Sequence, residues 1–516
     1  MKRIVAWLCL LSLLISGCSY MDGEYTPTGD GLSYDDPDSD AAVSPEGEKE
    51  QELIMVCNST TTMNPFLCTD VTNRTLFSLI YQSLFVTDKD YKTHPMLCGR
   101  YTVSDDMKRY TIYLAEGATY SDGTPVTLQD VIASYVTAKA NNFYKGRFSN
   151  IRDIRINDEG DAIIFSLSTA MEDLPILLDI PIVKELEVEA DRPLGSGPYR
   201  LDEYIGGLRL QQNKRWWCKD TVTLPVTATH IPLREAGTPP EIRDAFEFSD
   251  VGLVRADPGV STYADYRCDY ELWDCENGMF MYLICNTERN FFAVPAIRQA
   301  LTHAIDRELI VEKYYNGFAH SAYLPCSPLA PYYSETLAAE YTYDKEAFRQ
   351  AVVDAGMSGY VMEFLVHKKD TLRLRVARTI AEMLEEGGIH VNMVECAGDE
   401  YSYHLGKLHF DLFLGQTVLS PNMDLSPFFS ASGRLRHGGL ADEAIHALCK
   451  EALANSGNYY NLHQMVMENS RLCPVLVSVY SVHATRGLLT GLTPSRDNVF
   501  FYTRGVTMKD ALFYEE

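Results

Sequence analysis

The sequence lacks the short motifs that mark the common enzyme families. It contains no G-x-S-x-G, H-E-x-x-H, P-loop or G-x-G-x-x-G segment. No motif of a serine hydrolase, a zinc protease or a nucleotide-binding enzyme is therefore recognisable. Positive charge is also scarce, because 45 Lys and Arg stand against 71 Asp and Glu and give a formal net charge of −26. Nucleic-acid binding needs a clustered excess of basic residues. We therefore expect neither an enzyme nor a nucleic-acid partner.

The sequence also lacks the cysteine patterns that are typical of metal sites and of disulfide frameworks. No C-x-x-C pair occurs, and eleven cysteines remain scattered beyond Cys9 and Cys18. Their wide scatter argues against a zinc ribbon or a thioredoxin-like motif, and an odd number cannot all pair within one chain. We expect no metal site and no cofactor. Free buried thiols are the preferred interpretation, since cysteine packs as a small hydrophobe. One disulfide within the group Cys268, Cys275 and Cys285 stays open.

The amino-terminal apolar run, residues 4–15, is too short to cross a bilayer as a stable helix. It follows two basic residues and precedes Ser16, Gly17 and Cys18, which is the order of an export signal. Residues 14–18, LISGC, resemble a bacterial lipobox, where cleavage before the cysteine leaves a thiol that carries diacylglycerol. We predict a signal peptide at 1–17 and lipid attachment at Cys18. The alternative is a plain secretory signal with a chance cysteine.

Residues 18–51 are predicted to form an acidic disordered tether. From Ser19 to Glu52 there are eleven acidic residues and a single lysine, with several prolines and glycines. Low hydrophobicity and high like charge prevent such a segment from building a core. A coil of this length reaches roughly 30 Å, enough to hold a globular body off a membrane. An unselected spacer would have the same properties.

Residues 103–139 contain the densest local signals in the chain. Apolar and polar residues alternate over 110–114 as in a half-buried strand, and two glycine turns follow. Thr127 and Asp130 are placed as a weakened capping box, which predicts a helix that begins there and runs to Lys139.

The second half of the body reads as alternating strands and helices. A strand at 361–366, a helix at 371–386 ended by Gly387 and Gly388, and a strand at 389–393 predict a β-α-β unit. A further strand is expected at 410–414. A single helix is expected over 294–315, with its His303 and Asp306 interpreted as ordinary surface residues. The pattern predicts an α/β fold.

Six groups of residues along the chain form a recognisable series. The first is S-D-D followed by Y-S-D-G-T-P-V-T within residues 103–139. The others are PLGSGPY at 193–199, YLICN at 282–286, IRQALTHAIDRE at 297–308, Y-D and D-A-G at 343–344 and 354–356, and FDL at 410–412. Each segment is weak alone, but in this order they closely resemble the signature of family 5 extracytoplasmic solute-binding proteins, the oligopeptide, dipeptide and nickel receptors of ABC importers.

The resemblance implies a type II periplasmic-binding-protein architecture, in which two α/β lobes meet at a hinge near Glu276 and Val477. An extra domain is inserted in lobe 1. The implied boundaries are 52–85, 193–275 and 478–516 for lobe 1, 86–192 for the inserted domain and 276–477 for lobe 2.

The resemblance also implies a function. The chain would be a monomeric, lipid-anchored receptor on the extracytoplasmic face of the cell membrane, and it would deliver a small solute to ABC permease and ATPase subunits. A peptide is the favoured ligand. The alternatives are a nickel, nickel-chelate or other solute receptor, and a peptide-sensing lipoprotein that takes no part in transport.

Ligand-lining segments of the family fall on loops and strand ends of this chain. The candidate residues are Asn58, Thr60, Thr61, Gly195, Ser196, Tyr282, Asn286, Gln416, Thr417, Asp424 and Tyr480. Ordinary packing is the alternative interpretation for each of them. Peptide receptors of the family usually carry an Asp shortly after F-D-L that pairs with the peptide's amino group. That Asp is missing here, and Asp424 lies a few residues further on as a candidate substitute.

Overall fold

A computed structural model describes residues 52–257 and 266–513. The predicted signal peptide at 1–17, the lipidated Cys18 and the tether at 18–51 lie outside the described residues, apart from Glu52 at the end of the acidic segment.

The described residues form seventeen strands and belong to the α/β class. The strands are β1 Met55–Cys57, β2 Phe85–Thr87, β3 Thr93–Pro95, β4 Cys98–Val103, β5 Arg109–Leu114, β6 Ile151–Ile156, β7 Ile163–Leu167, β8 Tyr199–Tyr204, β9 Gly207–Gln212, β10 His230–Glu235, β11 Leu253–Ala256, β12 Tyr270–Cys285, β13 Ala319–Ser321, β14 Val361–His367, β15 His390–Cys396, β16 Leu412–Val418 and β17 Leu472–Thr485.

Fifteen α-helices accompany the strands in this part of the chain. They are α1 Val71–Thr75, α2 Phe77–Ile80, α3 Leu128–Ala140, α4 Pro239–Glu247, α5 Asn290–Ala293, α6 Pro295–Ala304, α7 Arg307–Tyr315, α8 Glu335–Ala338, α9 Lys345–Asp354, α10 Thr371–Glu386, α11 Gly398–Gly406, α12 Ser426–Phe429, α13 Glu443–Ala454, α14 Tyr459–Asn469 and α15 Met508–Ala511. None of the helices within 52–257 and 266–513 is both long and apolar enough to span a membrane.

Two long antiparallel strands, β12 and β17, form the centre of the main sheet. The sheet runs in the order β15-β14-β16-β12-β17-β11-β1-β10-β9-β8, and β13 pairs separately with β17. The carboxyl half of β12 pairs with β16, whereas the carboxyl half of β17 pairs with β11. The strands β12 and β17 therefore connect the half of the sheet that contains β16 to the half that contains β11.

The ladder between β12 and β17 is interrupted between Glu276 and Phe280, where the register shifts. Gly278 lies in the interruption with a φ of +72°, a backbone conformation that favours glycine. Val477 pairs with Phe280 immediately after the shift. The backbone geometry of the two central strands thus changes at the position where the family resemblance implies a hinge.

A separate antiparallel sheet of order β4-β5-β7-β6 lies within residues 86–192. Its β5 strand confirms the alternation predicted at 110–114. The helix α3 begins after Thr127, whose hydroxyl accepts a hydrogen bond from the Asp130 backbone N–H, while the Asp130 carboxylate accepts one from the Thr127 N–H. The predicted capping box is therefore confirmed.

The predicted β-α-β unit is also confirmed. Helix α10 joins β14 to β15, and the two strands pair in parallel from Val361 with His390 to His367 with Cys396. The next strand, β16, begins two residues later than the sequence pattern indicates and extends to Val418.

The single helix predicted over 294–315 is wrong, because the structure divides it into α6 and α7. Ile305 is extended, and the Asp306 side chain accepts a hydrogen bond from the Leu309 N–H and caps α7. The buried Arg307 guanidinium donates to the carbonyl oxygens of Thr302 at 2.9 Å and Ile305 at 3.2 Å. These contacts satisfy carbonyl groups that the break leaves without helical partners.

The eleven cysteines in the described residues are all free thiols. Ten are buried in the apolar core and Cys268 is half-buried, so their role is packing. The group Cys268, Cys275 and Cys285 holds no disulfide in this part of the chain.

Candidate functional site

A cavity of about 490 Å³ is assembled from four parts of the chain that are remote in sequence. These parts are the region around α1 (68–74), the segment after α3 (141–147), the end of β16 with the chain around α12 (417–435), and the turn at 496–497. Asn277, in the register shift of β12, completes the lining. Ligand sites commonly occupy roughly 300–1,000 Å³, so the volume suits a small organic solute.

The charged side chains that line this cavity in the described residues are four arginines and two aspartates. They are Arg74, Arg147, Arg434, Arg496, Asp424 and Asp497. The lining also includes apolar side chains such as Phe143 and Phe428. The site therefore combines apolar walls with several fixed positive charges.

Arg147 and Asp497 form a buried ion pair at 2.6 Å. A second Arg147 nitrogen donates to the carbonyl oxygen of Asp179 at 2.7 Å. Burial by itself would raise the pKa of Asp497, but attraction to Arg147 and Arg496 outweighs burial and holds that pKa below its usual range. The pair is thus ionised and largely neutralises itself.

Arg74 is held by an aromatic ring and by carbonyl oxygens. Its guanidinium lies 3.7 Å from the centroid of the Phe143 ring, a cation-π contact. It donates to the carbonyl oxygens of Pro65 at 3.2 Å and Cys68 at 3.4 Å, and to the Tyr144 hydroxyl at 3.0 Å. None of these groups carries a negative charge at neutral pH.

Arg496 lies beside the register shift of the central strands. One terminal nitrogen donates to the carbonyl oxygen of Leu419, whereas Nε and Nη1 are buried without a hydrogen-bond partner. A Cβ atom at Gly278 would lie 2.4 Å from Cζ of this arginine. A side chain at position 278 would therefore force the guanidinium of Arg496 to shift.

Arg434 and Asp424 come from the chain around α12. A Cβ atom at Gly146 would lie 3.6 Å from Nη2 of Arg434, so this arginine reaches the segment after α3. Asp424 is 8% exposed and accepts a hydrogen bond of 2.8 Å from the Ser426 N–H. Burial raises the pKa of the Asp424 carboxyl group.

Among the candidates from sequence, Thr417 and Asp424 line the cavity, and the half-buried Gln416 directly precedes this lining. Asn58, Thr60 and Thr61 lie in the loop after β1, outside the lining. The Asn58 amide donates to Asp70 at 2.9 Å and accepts from the Thr60 hydroxyl at 2.6 Å. This network fixes the loop to the start of α1.

Gly195 and Ser196 are buried against α2 and do not line the cavity. A Cβ atom at Gly195 would lie 1.9 Å from the carbonyl oxygen of Ile80, so only glycine allows this approach. The Ser196 carbonyl accepts a hydrogen bond of 3.0 Å from the Trp216 indole. Gly195 therefore packs on α2, and Ser196 holds the Trp216 indole in place.

Three further candidates are almost completely buried and lie outside the lining, namely Tyr282, Asn286 and Tyr480. Each of them contacts a segment that carries lining residues. Tyr282 contacts Phe428 edge to face at 5.1 Å, and Tyr480 donates to the carbonyl oxygen of Ser495, next to Arg496. Asn286 donates to the carbonyl oxygens of Leu408 and Phe410, at 3.0 and 2.8 Å, and so holds the entry to β16.

No sequence pattern indicated the arginines that dominate the lining. They stand in unremarkable contexts such as the turn at 495–498, and no motif of fixed spacing connects them. No group of three or more His, Cys, Asp or Glu side chains arranged to hold a metal occurs within 52–257 and 266–513.

Comparison with known proteins places the chain in a family. A family model described as "Bacterial extracellular solute-binding proteins, family 5 Middle" matches residues 92–435, more than half of the chain. The oligopeptide-binding protein AppA of Bacillus subtilis is 23% identical over 383 residues, which cover 68% of this chain and 65% of AppA. The glutathione-binding protein GsiB of Salmonella paratyphi A is 24% identical over 342 residues, covering 62% of this chain and 64% of GsiB. The chain thus spans just under two thirds of the length of these relatives.

Solved structures share the fold. HbpA2 of Haemophilus parasuis superposes with a TM-score of 0.72 at 16% identity, covering 87% of this chain and 98% of HbpA2. NikA of Brucella suis, in complex with Fe(III)-EDTA, superposes with a TM-score of 0.67 at 16% identity, over 87% of this chain and 98% of NikA. The chain therefore belongs to the bacterial extracellular solute-binding proteins of family 5, which are receptors and not enzymes.

Proposed function

We propose that this protein captures a solute, most favourably a peptide, in the cavity and delivers it to an ABC permease. The observation that carries this proposal is the cavity itself, lined both by the chain around α12 and by α1 with the segment after α3. The names of AppA and GsiB, an oligopeptide-binding and a glutathione-binding protein, support a peptide as the ligand.

In this proposal the two ends of the main sheet belong to two lobes. Lobe 1 would comprise 52–85, 193–275 and 478–516, lobe 2 would comprise 276–477, and 86–192 would be the inserted domain. The register shift between Glu276 and Phe280 supports a hinge there, since both central strands pass through it. Movement about a few backbone positions is the usual form of domain closure around a ligand.

Contacts across the proposed cleft support a closure mechanism. The Glu172 N–H donates to the carbonyl oxygen of Leu453 at 2.8 Å, and the Ser456 N–H donates to the Glu172 carboxylate at 2.7 Å. These bonds join the proposed inserted domain to the proposed lobe 2. A ligand that contacts both walls would add to them and shift the population toward the closed form, which the permease would recognise.

The receptor would work as a monomer without a cofactor, on the extracytoplasmic face of the cell membrane. Lipid on Cys18 would anchor it, because two or three acyl chains bind a bilayer stably whereas one alone does not. The acidic segment at 18–51 would act as the tether.

Native mass spectrometry of the protein purified from its host tests the proposal. We expect a co-purified small ligand, and X-ray scattering should show compaction when the ligand is restored to the ligand-free protein. Libraries of peptides, nickel chelates and oligosaccharides provide the comparison set. Absence of any ligand, together with absence of compaction across all three libraries, would refute the receptor function.

A transport assay separates import from sensing. In host cells we expect uptake of the labelled ligand to fall when the gene is deleted and to return when it is restored. Unchanged uptake by the deletion strain, despite tight binding by the purified protein, would favour a sensory lipoprotein.

A further inference from the structure

The cavity has the opposite charge to the rest of the protein. The chain carries a formal net charge of −26, yet four arginines and only two aspartates line this cavity in the described residues. One aspartate, Asp497, is paired with Arg147. Of the lining carboxyl groups in the described residues, only that of Asp424 is not bound to an arginine, whereas Arg74, Arg434 and Arg496 have no ion pair of their own.

These three arginines have no carboxylate at ion-pair distance within the described part of the chain. Arg74 has its own carbonyl, hydroxyl and ring contacts, as described above. Arg496 is different, because Nε and Nη1 are buried without an acceptor. Arg496 is half-buried and has one acceptor, the Leu419 carbonyl oxygen, so its charge is not neutralised by an ion pair and an anionic group of a ligand would bind favourably.

Arg434 and Arg496 enter the cavity from different elements. Arg434 follows α12 and reaches Gly146, whereas Arg496 follows β17 and packs on Gly278. A guanidinium presents parallel N–H groups that match the two oxygens of a carboxylate. The two arginines can therefore engage two carboxylates of one solute, or one carboxylate from two sides.

We propose that the solute carries more carboxylates than amino groups, and that Arg434 and Arg496 bind these carboxylates. The inference rests on the proposed function, since it names the ligand class of the same cavity. Asp424, whose carboxyl group accepts a hydrogen bond from the Ser426 N–H, is the single acidic partner that the lining offers, in the described residues, to an amino group of the solute. A cationic solute would meet uncompensated arginines and be rejected.

Titration calorimetry with matched probes tests the charge requirement. The probes are the tripeptides Ala-Glu-Ala, Ala-Gln-Ala and Ala-Lys-Ala, together with glutarate and its neutral diamide, added to the full chain in detergent. We expect each anionic probe to bind at least tenfold more tightly than its neutral match, with an affinity that falls as salt is added, and Ala-Lys-Ala to bind weakest.

The outcomes separate this inference from the proposed function. Equal or tighter binding of Ala-Gln-Ala or Ala-Lys-Ala would overturn the carboxylate assignment and leave the receptor function intact. A co-purified ligand without excess carboxylates would do the same. Failure of every probe, with no co-purified ligand in the mass spectrometer, would overturn both.

Arginine variants locate the contacts. We expect Arg496→Gln and Arg434→Gln each to weaken Ala-Glu-Ala binding about ten- to hundredfold, and the double variant to lose the preference over Ala-Gln-Ala. Arg349→Gln is the matched control, because Arg349 lies on α9 in an exposed ion pair with Glu346. Its binding should equal that of the wild type.

Thermal unfolding of the ligand-free variants distinguishes recognition from structural support. Arg496→Gln removes one hydrogen bond to the Leu419 carbonyl but also two buried nitrogen atoms that lack an acceptor, so we expect the melting temperature of the ligand-free variant to change little. A clear fall in that melting temperature, or unchanged Ala-Glu-Ala affinity in the double variant, would refute the assignment.

Discussion

The hydroxyl group of Tyr91 donates a hydrogen bond of 2.8 Å to Oε2 of Glu276, inside the proposed hinge. The Ser327 hydroxyl donates to the same oxygen, so one carboxyl group connects three segments that are distant in sequence. Glu276 is 2% exposed, and burial raises the pKa of its carboxyl group. The two hydroxyl donors offset part of this effect by stabilising the charged form.

Replacing Tyr91 by Phe removes one of these donors and leaves the ring. We expect the free energy of unfolding to fall by about 1.5–3 kcal/mol, the usual contribution of a hydrogen bond to a charged group. Urea denaturation measures the change. Tyr204→Phe is the control, because Tyr204 is 40% exposed, and it should shift the free energy by less than about 0.5 kcal/mol. Equal effects of the two variants would contradict the role of Tyr91.

Gly278→Ala tests the packing of Arg496 on the central strands. The variant introduces both a strained φ and a clash with the guanidinium, since the new Cβ atom would lie 2.4 Å from Cζ. Gly487→Ala is the matched control, with a φ of +76° and no atom within 4 Å of the new Cβ. We expect the control to lose about 1 kcal/mol of stability and Gly278→Ala to lose about 1–3 kcal/mol more. Denaturant unfolding measures both variants. Equal losses of stability in Gly278→Ala and Gly487→Ala would show that Arg496 moves away freely and would contradict the prediction.

Glu172→Ala should weaken closure without unfolding the protein. It removes the side-chain bond to the Ser456 N–H and leaves the backbone bond to Leu453 in place. We expect a larger radius of gyration by X-ray scattering and about fivefold weaker binding of the co-purified ligand, the effect of roughly 1 kcal/mol. Glu159→Ala, at an exposed turn, should change neither quantity. A wild-type radius of gyration in Glu172→Ala would argue against the contact as a closure bond.

Asp173 gives a prediction about pH. Burial raises its pKa from 3.8 to about 6, while its unfolded value stays near 3.9. The folded state therefore binds the proton more tightly than the unfolded state does. The stabilisation that protonation of Asp173 gives to the folded state is fully present below about pH 4 and is lost as the pH rises through 6. We expect Asp173→Asn to be more stable than the wild type at pH 7, by at most about 3 kcal/mol, and equal to it near pH 4.

The measurement is denaturant unfolding of both proteins between pH 4 and 7. Asp158→Asn is the control, because its side chain is 98% exposed, and it should show almost no pH-dependent difference from the wild type. A constant difference between Asp173→Asn and the wild type across this pH range would contradict the raised pKa.

Cys18→Ser tests lipid anchoring. Without a thiol no diacylglycerol can be attached, so we expect the full-length variant to leave the membrane fraction when host cells are fractionated. The wild type should stay in that fraction after washing with high salt, which strips proteins held only by charge. Retention of the variant in the membrane fraction would show that lipid on Cys18 is not the anchor.

Local signals were sufficient to predict several elements. The capping residues Thr127 and Asp130 fix the start of α3, and the apolar periodicity of α10 with its flanking strands predicts a parallel β-α-β unit. The break between α6 and α7 could not be predicted in the same way. It depends on Arg307, whose guanidinium also reaches the carbonyl oxygens of Ala322 and Pro474 in remote segments.

The site was less accessible to prediction than the fold. Gly195 and Tyr282 occupy segments that resemble those of the family, but the structure gives them packing roles next to α2 and Phe428. Arg434 and Arg496 line the same cavity although they are far apart in sequence, and the strands that precede them, β16 and β17, both pair with β12. A single sequence shows neither this convergence nor the sign of the charge it creates.

The concentration of guanidinium groups in the cavity would also affect the receptor before it meets its solute. Arg434 belongs to the proposed lobe 2 and Arg496 to the proposed lobe 1, so closure of these lobes would bring two guanidinium groups without ion pairs in the described residues toward one cavity. Like charges in a water-poor site repel one another, and this repulsion opposes closure until an anion neutralises it. Such a receptor would rarely present an empty closed form to the permease, and ATP would not be spent on cycles that carry nothing.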